Sequence, residues 1–229
     1  MTFKQFKTFI RKKIGYVNVT EVVESPIEFN SRKNWDSLFA NKKFLKQYDQ
    51  PERIESFREV IKILESHHVF ENVSKMIDVG CGTGQFIVEL LKEYPEIECT
   101  GTDFSAESIE VCKRLNINAE FHVFDIYADH NGNFLKYDLV VCSEVLEHLI
   151  VPEKAVTNLL KLLAPKVGTL VITVPDGRKD IYEGHIHFWS PESFKLFIEN
   201  MIDQTNYSCV FLLFNNGRNN LAIIKNMQH

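Results

Sequence analysis

The 229-residue sequence predicts an α/β fold: a seven-stranded mixed sheet of five parallel strands plus a terminal antiparallel hairpin, with helices on both faces. Three observations carry the prediction. Short apolar runs alternate with amphipathic stretches from residue 75 to residue 175, the rhythm of parallel βαβ units with right-handed crossovers. The first of these runs ends in clustered glycines, and the next two end in aspartates. Beyond residue 200 the rhythm breaks: the runs 209–214 and 221–225 are separated only by Asn215-Asn216-Gly217-Arg218-Asn219-Asn220. That connection is too short for a crossover helix, so this last pair is antiparallel.

The elements follow in chain order. Residues 1–14 carry Lys4, Lys7, Arg11, Lys12 and Lys13 and no acid, with Phe3, Phe6, Ile10 and Ile14 at helical spacing. They read as a basic amphipathic helix packed on the domain or its neighbour, with a membrane surface or a partner helix as the sharper alternative. Residues 15–50 read as irregular and aromatic, with Phe29, Trp35, Phe39, Phe44 and Tyr48. Pro51 opens a helix with Ile54, Phe57, Val60, Ile61 and Leu64 on one face. Strands are predicted at 75–79, 98–102, 119–124, 138–142 and 169–174, and helices at 85–94, 106–115 and from 152 to 163. Ser190 caps a final helix that Pro191 opens.

Composition narrows the class. Hydrophobic residues at 45% and charged residues at 25% describe an ordinary globular chain, not a disordered or fibrous one. Acids outnumber bases 31 to 26, which disfavours non-specific binding to nucleic acid. No apolar run reaches the roughly 18 residues of a membrane helix. The five cysteines, 81, 99, 112, 142 and 209, are odd in number and form no C-x-x-C pair, so neither a disulfide framework nor a thiolate zinc site is indicated. The first sixteen residues lack the apolar core of a signal peptide, and a reduced, cytoplasmic protein is expected.

The chemistry gathers at successive strand ends. In Ile77-Asp78-Val79-Gly80-Cys81-Gly82-Thr83-Gly84-Gln85 a strand runs through a glycine turn into a helix, a place where backbone bends sharply and a ligand lies close to it. The spacing is G-x-G-x-G; the third glycine of the dinucleotide fingerprint falls on Gln85, and no Walker lysine follows. Asp103, 19 residues after Gly84, ends the second strand, where a carboxylate accepts hydrogen bonds from two ribose hydroxyls. Phe104 beside it covers one face of an adenine, and Asp125 at the end of the third strand accepts from an exocyclic amine.

On these motifs residues 75–175 resemble the class I S-adenosylmethionine-dependent methyltransferases, which have a Rossmann-like fold. IDVGCGTGQF is similar to their first motif, GTDFS to the second, FDIYADH to the third and YDLVVCSEVLEHL to the fourth. LLAPKVGTLVITVPD resembles the later helix and strand, with one glycine where the family often has two. The resemblance implies a methyltransferase domain over 51–229, behind an extension over 1–50 made of the N-terminal helix and an aromatic stretch; that stretch, from Phe29 to Tyr48, is the candidate lid and acceptor wall. It implies S-adenosyl-L-methionine as cofactor and S-adenosyl-L-homocysteine as product. Gly80, Cys81, Gly82 and Gly84 would pack against the methionine part and Asp78 would orient its amino group. Asp103 would hold the ribose, and Phe104, Asp125 and Ile126 would frame the adenine. Ser143 and Glu144 would border the methyl group and the acceptor.

The subtype is narrowed by what the fourth motif lacks. Cys142-Ser143-Glu144-Val145-Leu146 is not the Asn/Asp-Pro-Pro-Tyr/Phe of amino-group methylases of adenine or glutamine, and no Pro-Cys dipeptide marks a cytosine methylase. EVLEHL followed by GHIHFWSPESF is similar to small-molecule methyltransferases acting on quinones, sugars and other metabolites. The expected reaction is in-line methyl transfer to a hydroxyl, less favoured an amine, of a small metabolite. Glu144 and His148 border the acceptor, and His148 or His187 serves as general base. Glu144, Glu147 and His148 fall at helical spacing, and with His185 or His187 they resemble the metal site of RNA 3′-end ribose methyltransferases. That metal-assisted reading and a non-catalytic cofactor-binding module are the alternatives; the expectation is no metal and no nucleic acid partner.

Overall fold

The computed structural model describes residues 26–128 and 136–227; the expected helix over 1–14 lies outside the described residues. Seven strands form one sheet: β1 (Lys75–Val79), β2 (Glu98–Asp103), β3 (Ala119–Val123), β4 (Leu139–Ser143), β5 (Thr169–Pro175), β6 (Tyr207–Phe214) and β7 (Asn219–Asn226). Their order is β3-β2-β1-β4-β5-β7-β6. The first five strands are parallel, and β7 runs antiparallel to both β5 and β6. The expected sheet and its terminal hairpin are therefore present. The order reverses between β1 and β4, and open α/β sheets bind ligands at such a switch point, beyond the carboxyl ends of the strands.

Eight helices surround this sheet among the described residues. Three are short: α1 (Pro26–Phe29), α2 (Arg32–Ala40) and α3 (Lys42–Leu45). The others are α4 (Pro51–Ser66), α5 (Gln85–Glu93), α6 (Ala106–Cys112), α7 (Pro152–Leu162) and α8 (Pro191–Met201). Strand side chains alternate between two cores, as the pleat requires. Met76, Cys99, Leu139, Val141 and Ile223 face Val60, Leu64, Phe86, Leu90 and Ile109 of α4, α5 and α6. Ile77, Val140, Leu170, Ile172 and Ala222 face Val156, Leu159, Phe194 and Ile198 of α7 and α8. Val140, Leu170 and Ile172 are wholly shielded, as a sheet covered on both faces demands.

Three expectations need correction. Residues 26–45 are largely helical, where the sequence alone predicts an irregular stretch. The helices are one to three turns long, too short to show a period, and side-chain caps hold them: Ser31 Oγ accepts from the Asn34 amide at 3.3 Å, and Asn41 Oδ1 from Lys43 at 2.9 Å. The helix expected over 106–115 stops at Cys112. The hairpin is tighter than six residues, because Asn219 and Asn220 pair with Phe214 and Leu213. Asn215, Asn216 and Gly217 supply the positive φ values of the shortened turn.

Candidate active site

The leading turn is shaped by what its glycines omit. Gly80 has φ +82°, and a Cβ there would lie 2.4 Å from Val145 Cγ2, on the loop after β4. Its amide and that of Cys81 donate to the same acceptor, the Thr102 carbonyl, at 2.7 and 2.9 Å, which binds the turn to β2. Gly82 faces the aromatic segment, and its missing Cβ would touch Tyr48 at 3.4 Å. Gly84 does a different job. It precedes α5 with φ +75°, where a Cβ would press on Leu115 and Phe121, and it lies outside the cavity. Thr83, inside the turn, has a buried hydroxyl with no partner among the described residues.

Asp103 is nearly enclosed, at 6% exposure. Its Oδ2 accepts from the Gly82 amide at 3.0 Å and its Oδ1 from the Ser105 amide at 2.9 Å. The Phe104 amide also pulls on this carboxyl, and its two oxygens keep lone-pair capacity for a further donor. Burial pushes the carboxyl up to about 6 against the pull of these amides. Asp78, at the end of β1, is pushed up to about 7, first by burial and then by the charge of Asp103. Phe104 and Asp125 both meet the N-terminal segment through one residue: the Arg32 guanidinium is 5.9 Å from the Phe104 ring centre and 3.7 Å from Asp125 Oδ2. The Ile126 side chain is buried, and its carbonyl accepts from Asn158 Nδ2 at 2.8 Å.

Beyond β4 the expected helical face does not form. Glu144 has φ +57°, a left-handed value costly for a residue with a side chain, and only Leu146–His148 coil, as a 3-10 turn. Glu144 therefore leaves the face that carries Glu147 and His148. Its carboxylate is held at both oxygens: Thr173 Oγ1 donates to Oε1 and Asn219 Nδ2 to Oε2, each at 2.9 Å. Ser143 Oγ lies 2.8 Å from the same Thr173 oxygen, so the hydroxyls run Ser143 to Thr173 to Glu144. Burial raises the Glu144 carboxyl above its ordinary range.

His148 is held by the Gly184 carbonyl, 3.3 Å from Nδ1. A carbonyl only accepts, so Nδ1 carries the hydrogen and Nε2 is the basic nitrogen. Burial, helped by His185, lowers its pKa to about 3, and the ring stays unprotonated. Glu147 is buried, neither carboxylate oxygen is hydrogen-bonded among the described residues, and burial raises its carboxyl far above the ordinary range. His185 Nε2 is 3.8 Å from Glu147 Oε1, and its Nδ1 is paired with Asp180. Glu147, His148 and His185 each bring one ligand atom within 4.8 Å of the others, a set that could hold a divalent cation. His187 stands apart: Nε2 donates to the Leu149 carbonyl at 2.9 Å, its ring stacks on Trp189, and it does not line the cavity.

One cavity of about 480 Å³ joins these parts. Asp78, Gly80, Cys81, Gly82, Asp103, Phe104, Asp125, Ile126, Ser143, Glu144 and His148 all line it. Its volume is within the range of small-molecule sites. The segment 26–45 supplies the far wall: Trp35 stacks on Phe39 at 5.7 Å and lies edge-to-face with His148 at 5.1 Å. Sequence reasoning missed Tyr48 and Arg53 as a pair, the guanidinium lying 4.1 Å from the ring centre at the cavity wall. It also missed Thr173 and Asn219, whose only signal was their position at the ends of strands.

Comparison with known proteins adds the family. A family model described as a methyltransferase domain matches residues 47–207. The ubiquinone biosynthesis O-methyltransferase of Proteus mirabilis is 28% identical over 109 residues, 46% of this chain and 44% of that protein. The malonyl-[acyl-carrier protein] O-methyltransferase of Halalkalibacterium halodurans is 29% identical over 119 residues, 49% of this chain and 43% of that protein. These alignments thus span less than half of either relative. The plantazolicin methyltransferase BpumL, solved with a monoazolic desmethylPZN analog and SAH, superposes with a TM-score of 0.69 at 17% identity, covering 96% of this chain and all of that one. At that identity the likeness establishes the fold. With more than half its length matched by the family model, the chain belongs to the methyltransferase domain family, in its class I, S-adenosylmethionine-dependent form.

Proposed function

We propose that the protein transfers a methyl group from S-adenosylmethionine to a hydroxyl of a small metabolite. The observation that carries this reading is the continuity of the cavity. The glycine turn and Asp103 form one end, and Glu144, His148 and Trp35 form the other. The residues fit the cofactor: the Asp103 carboxylate has lone-pair capacity beyond its backbone amides, and the Thr83 hydroxyl is buried at the turn and unpaired among the described residues. Asp103 would take the ribose, Asp78 the amino group, Phe104, Asp125 and Ile126 the adenine, and Gly80, Cys81 and Gly82 the methionine stem. Bound there, the cofactor supplies a methyl group already activated by its sulfonium.

The remaining work falls to the protein. Its residues must align the acceptor and exclude water, and such positioning is worth about 7–11 kcal/mol. Trp35 and Phe39 wall the acceptor end. His148 Nε2 receives the hydroxyl proton as the bond to carbon forms. Glu144, whose carboxylate is already held by two donors, shapes the wall and takes no proton. The names of the curated relatives support oxygen as the acceptor, since both are O-methyltransferases. The test supplies labelled S-adenosylmethionine and a small-molecule extract. Label should enter a product stable to acid and base, as an ether is, and His148→Ala should slow transfer at least about a hundredfold. Label in an amine, or full transfer by the variant, would refute the reading.

A second reading has one observation in its favour. Among the described residues, the two Glu147 oxygens have no hydrogen-bond partner and accompany the ligand atoms of His148 and His185. A divalent cation held there would orient and acidify the acceptor hydroxyl. The readings separate on a chelator: transfer by wild-type protein should survive EDTA under the first and fall, with rescue by manganese or magnesium, under the second.

A further inference from the structure

The lid touches the candidate base through one backbone atom. The Gly184 carbonyl, in the loop after β5, accepts from His148 Nδ1 at 3.3 Å and from Asn30 Nδ2 at 2.7 Å. Asn30 lies between α1 and α2 and lines the cavity. Its Oδ1 accepts from Trp35 Nε1 at 3.4 Å, and Trp35 sets its edge to the His148 ring. His148 is thus bracketed by the lid on two sides, one through Gly184 and one through Trp35.

Gly184 is shaped for this contact. A Cβ at this buried position would lie 2.4 Å from Phe29 Cε1 and 2.6 Å from Tyr182 Cε1. Its backbone has no left-handed angle that would itself call for glycine. The missing side chain is the space that Phe29 of α1 occupies, so the lid seats against the same residue whose carbonyl orients the histidine. The opposite end of the lid is pinned independently: Ser105 Oγ donates to Asp36 Oδ1 at 2.6 Å, beside Asp103.

We infer that Asn30 is a positioning residue for His148, acting through the Gly184 carbonyl, so that the imidazole is aligned for proton transfer only when residues 26–45 are seated over the cavity. This rests on the reading of His148 as the base, and goes beyond it by making that base conditional on the lid. An imidazole released from Gly184 exchanges tautomers and turns, and Nε2 is then no longer reliably the bare nitrogen. With the lid seated, both carbonyl lone pairs are used and the ring is locked in one tautomer.

Two readouts test this. Long-range proton–nitrogen NMR on protein saturated with S-adenosylhomocysteine should show His148 with hydrogen on Nδ1 in the wild type and a mixture of tautomers in Asn30→Ala. Trp35→Phe keeps an aromatic ring in the wall, drops the Nε1–H and should shift the mixture less. With labelled cofactor and the same small-molecule extract, Asn30→Ala should slow transfer about fivefold, the net worth of the bond to Gly184, with Trp35→Phe as the control for the bond to Trp35. The affinity for S-adenosylhomocysteine should stay within about twofold, because sites that share no partner contribute almost independently. In a His148→Ala background, Asn30→Ala should have no further effect. An unchanged tautomer in both variants, or an equal loss of rate in both backgrounds, overturns the inference. If His148→Ala itself transfers methyl at full rate, the base assignment falls, while the NMR result still decides whether Asn30 orients the ring.

Discussion

Lowering pH should strip the protein of its affinity for S-adenosylhomocysteine in a way the two buried aspartates dictate. Burial holds Asp103 at about 6 and Asp78 at about 7 in the free protein. To accept from two ribose hydroxyls while keeping the Gly82 and Ser105 amides, Asp103 must be ionised, and Asp78 must be ionised to accept from the amino group. Binding therefore favours the deprotonated forms, and affinity falls as pH falls. Between pH 8 and pH 5, Asp103 alone should weaken binding about tenfold, and both together on the order of a thousandfold. Stability runs in the opposite direction in the free protein. A carboxyl raised above its unfolded value near 3.8 gives stability that is present at low pH and lost as pH rises through about 6 to 7. The ligand should consequently raise Tm more at pH 8 than at pH 5. Calorimetry across this range, with circular dichroism confirming the fold, makes the measurement, and Asp78→Asn should remove the larger share of the slope. A dissociation constant flat within about twofold from pH 5 to pH 8 would show that neither carboxylate has to ionise for the ligand.

Other substitutions probe other parts. Gly80→Ala forces a methyl group against Val145 at a positive φ and should cost about 1–3 kcal/mol, read as a fall in Tm; adding Val145→Ala should recover part of it, and no recovery would exclude the clash. Asn219→Ala leaves Glu144 Oε2 without its donor and should cost about 1–3 kcal/mol in thermal unfolding. It should lower methyl transfer more than cofactor affinity, and the reverse order would place Glu144 on the cofactor. Asp36→Ala frees the lid from Ser105 and should speed release of S-adenosylhomocysteine in stopped-flow displacement, with Tm changed by less than in the Gly80 variant; an unchanged release rate would mean that the lid does not cover the cofactor.

The legible part of this protein is the part written in short range. The turn from Asp78 to Gly84 can be read because strand, bend and helix start lie within ten residues and only glycine relieves the contact at Gly80. Asp103 can be read because a strand end fixes where its carboxylate points. Glu144 shows the limit. Its spacing to Glu147 and His148 is that of one helical face, and the backbone instead turns left-handed at Glu144. The cause lies far away in sequence: Thr173 on β5 and Asn219 on β7, 29 and 75 residues distant, take both carboxylate oxygens. A periodicity argument weighs only neighbours, so it could not see those partners.

The same distinction explains why the lid was legible only in composition. Its aromatics were visible as candidates for an acceptor wall, but helices of four to nine residues have too few turns to set a period. What fixes them is contact across the molecule, through Asp36 to Ser105 and Asn30 to Gly184. Those two ties differ in consequence. The first joins the lid to the carboxylate end of the cavity, and the second joins it to the imidazole end. Because the two ties share no partner, loosening one leaves the other in place, and each holds its own half of the site. Strain at Glu144 is tolerable within such a frame because Thr173 and Asn219 belong to the sheet, which does not move with the lid.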